Sequence, residues 1–183
     1  MLEGSNRVIL LDRDGVLNVD RADSVKALDE LELEPGAAEA TARLAGAGYR
    51  LLVVTNQACV AHGWLDLGTL DAIHRELDRR LGRTVAGFFV CPHGPDDGCD
   101  CRKPGTRLLE QARAAWHFDP AATWFVVDAG RDIEAARRFG CRPALVRTGK
   151  GRATEREFPD VPAWDDLPAF ADWVVANDRR GPG

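Results

Sequence analysis

The sequence predicts an α/β fold of the Rossmann-like, doubly wound kind: a parallel sheet with helices on both faces. Short apolar runs rich in Val, Ile and Leu recur between Val8 and Arg147, the pattern of strands buried on both faces. Segments with the 3.6-residue spacing of amphipathic helices separate them. Several runs end on polar residues, at the strand ends where open α/β sheets bind ligands.

The first strand is Val8–Leu11, and it stops on Asp12 and Asp14 with Gly15 straight after. Two carboxylates on such a turn are costly for a core and useful for chemistry. On this stretch alone an Asx turn capping backbone N–H groups explains them equally well. The polar stretch from Asn18 to Glu34 is too long for a tight βα loop and reads as a small flap or a substrate-facing loop. Pro35 predicts a helix start, Ala40, Leu44 and Ala47 its apolar stripe, and Gly48 its stop. Residues 50–55 predict a second buried strand ending on Thr55, Asn56 and Gln57, beside the first strand's aspartates. For Thr55 the plainer alternative is a cap or turn residue. Residues 58–68 form a loop holding His62, Gly63 and Trp64. A helix over 69–81 buries Leu70, Ile73, Leu77 and Leu81 and leaves His74 on its solvent side. Residues 85–90, rich in Val and Phe, are the third strand.

Residues 91–104 carry the most specific chemistry. Cys91, His93, Cys99 and Cys101 are spaced C-x-H, five residues, then C-x-C, among prolines and glycines that exclude regular structure. A full set of four N/S ligands marks a structural Zn²⁺ site with no open position. A redox pair fits less well, because C-x-x-C is the usual redox spacing and His93 is left without a role. Cys59 and Cys141 are isolated and read as small buried hydrophobes.

Arg102 and Lys103 follow the last of these ligands directly, in a chain where only three of the 24 basic residues are lysine. Pro104 predicts the start of the next helix, through Leu108, Leu109, Ala112 and Trp116 to His117 at its end. Residues 123–127 are a fourth strand ending on Asp128, and Asp132 starts a helix through Ile133, Ala136 and Phe139. Residues 143–147 are a fifth strand and 148–151 the loop after it. A charged tail from Arg152 precedes a last amphipathic helix over about 166–176, which turns Phe170, Trp173 and Val174 to the body.

A chain of 183 residues, 45% hydrophobic and 29% charged, suits one domain over 1–183 with an ordinary core. Its net charge of −5 argues against a nucleic-acid partner. No apolar run approaches the roughly 20 residues of a membrane span. Residues 1–6 lack the basic and apolar regions of a secretory signal, so the expectation is a cytoplasmic protein, and a monomer is expected as well. There the five cysteines stay reduced, which favours metal over disulfides.

Acids, a hydroxyl and a lysine thus converge on one sheet edge, as phosphoryl transfer to a carboxylate requires. A nucleophilic carboxylate attacks phosphorus, Mg²⁺ takes hard oxygen ligands, and lysine and hydroxyl donors neutralise the phosphoryl oxygens. Asp12-Arg13-Asp14-Gly15-Val16-Leu17-Asn18, Val54-Thr55-Asn56-Gln57, Cys101-Arg102-Lys103-Pro104 and Asp128 with Asp132 resemble the four motifs of the haloacid dehalogenase (HAD) superfamily. The zinc loop and the segment from Val146 to Lys150 narrow the resemblance to its histidinol-phosphate and heptose-bisphosphate phosphatase branch.

The resemblance implies a HAD-like fold without a large cap domain. It implies a Mg²⁺-dependent phosphatase acting on a small phosphorylated metabolite, heptose 1,7-bisphosphate first and histidinol phosphate as the alternative. Asp12 is then the nucleophile and Asp14 the general acid and base. Thr55 and Lys103 hold the phosphoryl group, with Asp132 in support. Asp12, Asp14 (by its carbonyl) and Asp128 bind Mg²⁺. Asn18, Asp20, Arg21, Asp23, Asn56, Gln57 and Arg102 face the substrate. The fourth motif departs from the usual Gly-Asp-Lys: Val127 and Ala129 flank Asp128, and Arg131 is the nearest following cation. That departure motivates a further alternative, a zinc-stabilised binding module without catalysis.

Overall fold

Six strands, β1 (Val8–Leu11), β2 (Arg50–Asn56), β3 (Val85–Cys91), β4 (Trp124–Val127), β5 (Arg142–Val146) and β6 (Ala163–Trp164), form one sheet. A computed structural model describes residues 7–178; the stretch 1–6 considered above for targeting lies outside the described residues. The strand order is β3-β2-β1-β4-β5-β6, and every neighbouring pair is parallel. The chain winds outward from β1 to β3, returns to β4 beside β1, and winds outward the other way. The loops after β1 and β4 therefore part at the switch point, and the crevice between them is the natural ligand site.

Successive side chains of a strand point to opposite faces, and the core divides accordingly. Ile9, Leu11, Leu51, Val53 and Val126 pack against α1 (Ala37–Gly46), α2 (Leu67–Arg80) and α6 (Leu167–Asp178). Val8, Leu10, Leu52, Val54 and Phe125 pack against α3 (Arg107–Trp116) and α4 (Gly130–Phe139). Cys59 and Cys141 are buried, as their isolation in the sequence predicts. Among the described residues no helix is long and apolar enough to cross a membrane.

Two predicted helix starts move. Pro35 and Gly36 are the central residues of a turn closed by the Ala37 N–H on the Glu34 carbonyl, and Gly36 has φ 75° and ψ 5°. Those angles are those of a type II turn, which takes proline then glycine, so α1 begins only after it. Pro104 likewise sits in a turn, closed by the Gly105 N–H on the Arg102 carbonyl, with a cis Lys103–Pro104 bond. α3 starts beyond it, after Thr106. The supposed tail also has structure. α5 (Gly151–Glu157) is almost wholly polar and shows no apolar stripe, and β6 is two residues long, so neither left a periodic signal. Trp173 packs in a T-shaped contact with Trp124, 5.6 Å between ring centres, yet remains 38% exposed.

Candidate active site

The carboxyl ends of β1, β2 and β4 and the turn before α3 meet at the switch point. Lys103, sealed from solvent, donates from Nζ to Oδ1 of Asp12 at 2.9 Å and to the Val54 carbonyl at 2.8 Å. The same ammonium stands 3.0 Å from Oδ1 of Asp132, the buried acid in the first turn of α4. Burial opposes ionisation of Asp12, but Lys103, the contact with Asp132 and the charge of Arg131 outweigh it and hold its carboxyl below the ordinary value. Burial also opposes the charge of Lys103, and Asp12 and Asp132 reverse that, raising it. Asp12 is thus held as a carboxylate, the form a nucleophile needs.

Asp14 lies beside it with 23% of its side chain exposed. Oδ1 accepts from Arg13 Nη2 at 2.8 Å, Arg13 Nε at 3.3 Å and Asn18 Nδ2 at 2.9 Å. Oδ2 accepts from Gln57 Nε2 at 2.8 Å, and that amide also donates to Thr55 Oγ1 at 2.7 Å. Burial again works against the charge, and the guanidinium of Arg13 with these hydrogen bonds wins, holding Asp14 below its usual range.

Carboxylate oxygens of Asp12, Asp128 and Asp132 all lie within 4.8 Å of one another. Burial, and then the charge of Asp12, push Asp128 up to about 7 and Asp132 up to about 8. Buried acids this close repel; Lys103 answers Asp132, and a hard dication with oxygen ligands removes the penalty for Asp12 and Asp128, so these two donors fit Mg²⁺. The backbone is shaped around Asp128. A Cβ on Gly15 would fall 2.2 Å from its Oδ2, and one on Gly149 2.3 Å, and both glycines have positive φ. The Lys150 N–H donates to that Oδ2 at 2.9 Å, and Thr148 Oγ1 donates to the Gly15 carbonyl at 2.6 Å. The loop after β5 is thereby tied to the loop after β1.

The four N/S residues of the loop after β3 converge. Sγ of Cys91 is 3.1 Å from Sγ of Cys101, 3.7 Å from Sγ of Cys99 and 3.6 Å from Nδ1 of His93. Nδ1 of His93 is 3.2 Å from Sγ of Cys101. Zn–S bonds of about 2.3 Å in a tetrahedron set sulfurs just under 4 Å apart, so this cluster fits Zn²⁺ with modest expansion.

The HAD-hydrolase-like family profile matches residues 100–170. The D-glycero-beta-D-manno-heptose-1,7-bisphosphate 7-phosphatase of Pseudomonas aeruginosa is 46% identical over 172 residues, 91% of this chain and 97% of that protein. This chain belongs to the heptose-bisphosphate phosphatase family. A relative of the same name from Neisseria meningitidis serogroup A is 36% identical over 180 residues, 94% of this chain and 96% of its own. The crystal structure of D,D-heptose 1.7-bisphosphate phosphatase from B. bronchiseptica, complexed with magnesium and phosphate, superposes with a TM-score of 0.90. It is 40% identical and covers 93% of this chain and 99% of its own.

Within this heptose-bisphosphate phosphatase frame, three residues expected to face substrate are turned to other partners. Asn18 is fully buried, with Nδ2 on Asp14 Oδ1 and the Val19 carbonyl. Asn56 spends both ends of its amide on the backbone of Lys103. Gln57 is 2% exposed and bridges Asp14 and Thr55. A polar side chain at a strand end looks the same in sequence whether it meets a ligand or a neighbouring loop. Asp20, Arg21, Asp23 and Arg102 do stay on the surface side. Asp20 pairs with Lys150 at 3.2 Å, Arg21 with Asp23 at 3.4 Å, and Arg102 Nη1 donates to the His93 carbonyl at 3.1 Å. Arg131 Nε stands 3.7 Å from Asp132 Oδ1, so a cation does face the acids despite Ala129.

Two residues were missed. Arg13 is buried to 0% exposure, its guanidinium held between Asp14 and His74. His74, expected on the solvent side, is 5% exposed and stacks on Phe88 with ring centres 4.7 Å apart. Its Nε2 meets Arg13 Nη1 at 3.2 Å, and burial, then Arg13, push it down to about 3. The signal for His74 was present: position 74 is four residues after Leu70 and three before Leu77, on the apolar stripe itself.

Proposed function

We propose that this chain is a Mg²⁺-dependent phosphatase that removes the 7-phosphate of D-glycero-D-manno-heptose 1,7-bisphosphate through an aspartyl-phosphate on Asp12. The observation that carries the reading is the buried pairing of Asp12 with Lys103 beside Asp14 and Asp128. The names of the relatives favour the heptose substrate over histidinol phosphate, and the complete set of acids, Thr55 and Lys103 argues against a binding module without catalysis.

The carboxylate of Asp12 attacks phosphorus, and the P–O bond to the sugar breaks as Asp14 gives its proton to the departing alkoxide. Asp14 is held ionised by Arg13 before substrate arrives, and the approach of a phosphate dianion favours its protonated form. Lys103 and Thr55 donate to the transferring phosphoryl oxygens. Asp14, now a carboxylate, takes a proton from the water that attacks the aspartyl-phosphate. Phosphate leaves, and Asp12 is regenerated. Asp12, Asp128 and the Asp14 carbonyl would hold Mg²⁺, which supplies charge neutralisation when bound. Asp132 supports Lys103. Cys91, His93, Cys99 and Cys101 would hold Zn²⁺ in a purely structural role. Arg102 and the 20–23 segment line the entrance. The working form is a single-domain monomer in the cytoplasm.

The test is phosphate release with Mg²⁺ from heptose 1,7-bisphosphate and from histidinol phosphate. Selective turnover of the heptose is expected. Preference for histidinol phosphate would overturn the substrate, and release from neither would overturn the chemistry.

A further inference from the structure

We infer that His74 is a positioning residue: by fixing the guanidinium of Arg13, it determines which oxygen of Asp14 carries the transferable proton. The inference rests on the reading of Asp14 as the general acid. Nothing in the phosphatase chemistry itself touches His74, which sits in α2 and reaches the site only through Arg13.

Arginine has donors and no acceptor. The 3.2 Å contact between Arg13 Nη1 and His74 Nε2 therefore requires a neutral His74 with its proton on Nδ1 and a lone pair on Nε2. Stacking on Phe88, at an interplanar angle of 10°, fixes the plane in which that lone pair lies. The planar guanidinium is in turn held at both edges, by His74 on Nη1 and by Asp14 on Nη2 and Nε. Without His74, Nη1 is a buried donor lacking a partner, which costs about 1–3 kcal/mol and releases the fork to turn towards another acceptor.

The consequence falls on Asp14. Its Oδ1 already accepts three N–H groups, two from Arg13 and one from Asn18, and has no lone pair left for a proton. Its Oδ2 accepts one, from Gln57. The acid proton therefore belongs on Oδ2, the oxygen linked through Gln57 to Thr55 and so to the phosphoryl side of the site. If the Arg13 fork turns, Oδ1 becomes able to take the proton, and part of the protonated population points it away from the leaving oxygen.

The experiment compares kcat on a sugar phosphate, whose alkoxide needs the proton, and on p-nitrophenyl phosphate, whose phenolate does not. It uses wild type, Asp14→Asn, His74→Leu and His74→Gln with Mg²⁺ present. A general acid is worth roughly 10²–10⁴-fold, so Asp14→Asn loses at least about 100-fold more on the sugar phosphate. His74→Leu is expected to lose about tenfold more on the sugar phosphate than on the aryl ester, in kcat rather than KM, a fraction of that general-acid effect. His74→Gln, whose carbonyl can accept from Arg13, restores most of it. Equal losses on both substrates in His74→Leu, unchanged kcat, or no advantage of Gln over Leu would overturn the role of His74. Equal losses in Asp14→Asn would overturn the general acid itself, a distinguishable result. His74→Asn, too short to reach Arg13, replaces His74→Leu if that variant does not fold, with the same outcomes expected.

Discussion

The side chain of Asn56 closes a two-way clamp on the backbone of Lys103. Its Oδ1 accepts the Lys103 N–H at 3.0 Å, and its Nδ2 donates to the Lys103 carbonyl at 3.1 Å. The end of β2 thereby holds the turn before α3 by its main chain, and the Lys103 ammonium returns the contact to the Val54 carbonyl. Lys103 is placed by a strand end as well as by its own loop.

Asn56→Ala removes both bonds, worth about 1 kcal/mol each in stability. Its main effect is expected on turnover: a displacement of Lys103 on the order of 1 Å can cost about 100-fold. Steady-state kinetics separates the roles. A fall in kcat supports positioning of Lys103, whereas a rise in KM alone would mean that Asn56 meets the substrate after all.

Asp12→Asn replaces the nucleophile by an amide of the same shape. Turnover is expected to fall by several orders of magnitude, while the circular dichroism spectrum stays that of wild type. Acid-quenched wild type incubated with labelled substrate should retain label on Asp12, and the variant should retain none. Residual activity within about tenfold of wild type would rule out the covalent route.

Much of this architecture is legible in the chain because parallel strands buried on both faces must be written as near-continuous apolar runs. Val8–Leu11 and Trp124–Val127 have no other plausible home, and the polar residues that end them fall at the switch point by topology alone. The metal-type cluster was legible for a different reason: ligand chemistry and short spacing constrain each other. What stayed hidden were directions. Asn18, Asn56 and Gln57 occur where a ligand or a neighbouring loop would use the same side chain, and only the packing of loop on loop decides. Arg13 was hidden because a buried arginine between two aspartates has the composition of a surface turn. Pro35 opens no helix because the Pro35-Gly36 pair is itself a type II turn signal, stronger than proline alone as a helix start.

His74 should make the fold sensitive to acid. Its folded-state value is pushed down to about 3 by burial and Arg13, from an ordinary value of 6.5. Above pH 6.5 neither folded nor unfolded chain protonates it, and it adds no pH dependence. Between 6.5 and about 3 only the unfolded chain takes up the proton, so stability falls as pH falls. The loss reaches about 3 kcal/mol at pH 4, from 1.36 kcal/mol per pKa unit. His74→Gln has no imidazole to protonate and lacks this pH dependence. Urea unfolding at pH 7 and pH 4.5 is expected to show a smaller pH-dependent drop for His74→Gln. Equal drops would mean that the folded chain accommodates the imidazolium.

Zinc is expected at one ion per chain, with a role in shape rather than chemistry. Residues 91–104 are mostly without regular structure once β3 ends at Cys91, so their order has to come from something other than a ladder or a helix. Three thiols and the His93 imidazole at 3.1–3.7 Å leave no open position for water on a tetrahedral ion. Lys103 lies two residues beyond Cys101, and Arg102 between them donates back to the His93 carbonyl. Ordering the cluster therefore fixes the approach of Lys103 from one side, as Asn56 does from the other. Cys101→Ser should lose the ion, melt at lower temperature and lose turnover, although the ion touches no substrate. Elemental analysis of wild type and variant, beside melting temperature and kcat/KM, checks each step. Wild type purified without zinc, or a zinc-free variant with unchanged melting and kinetics, would refute the structural role.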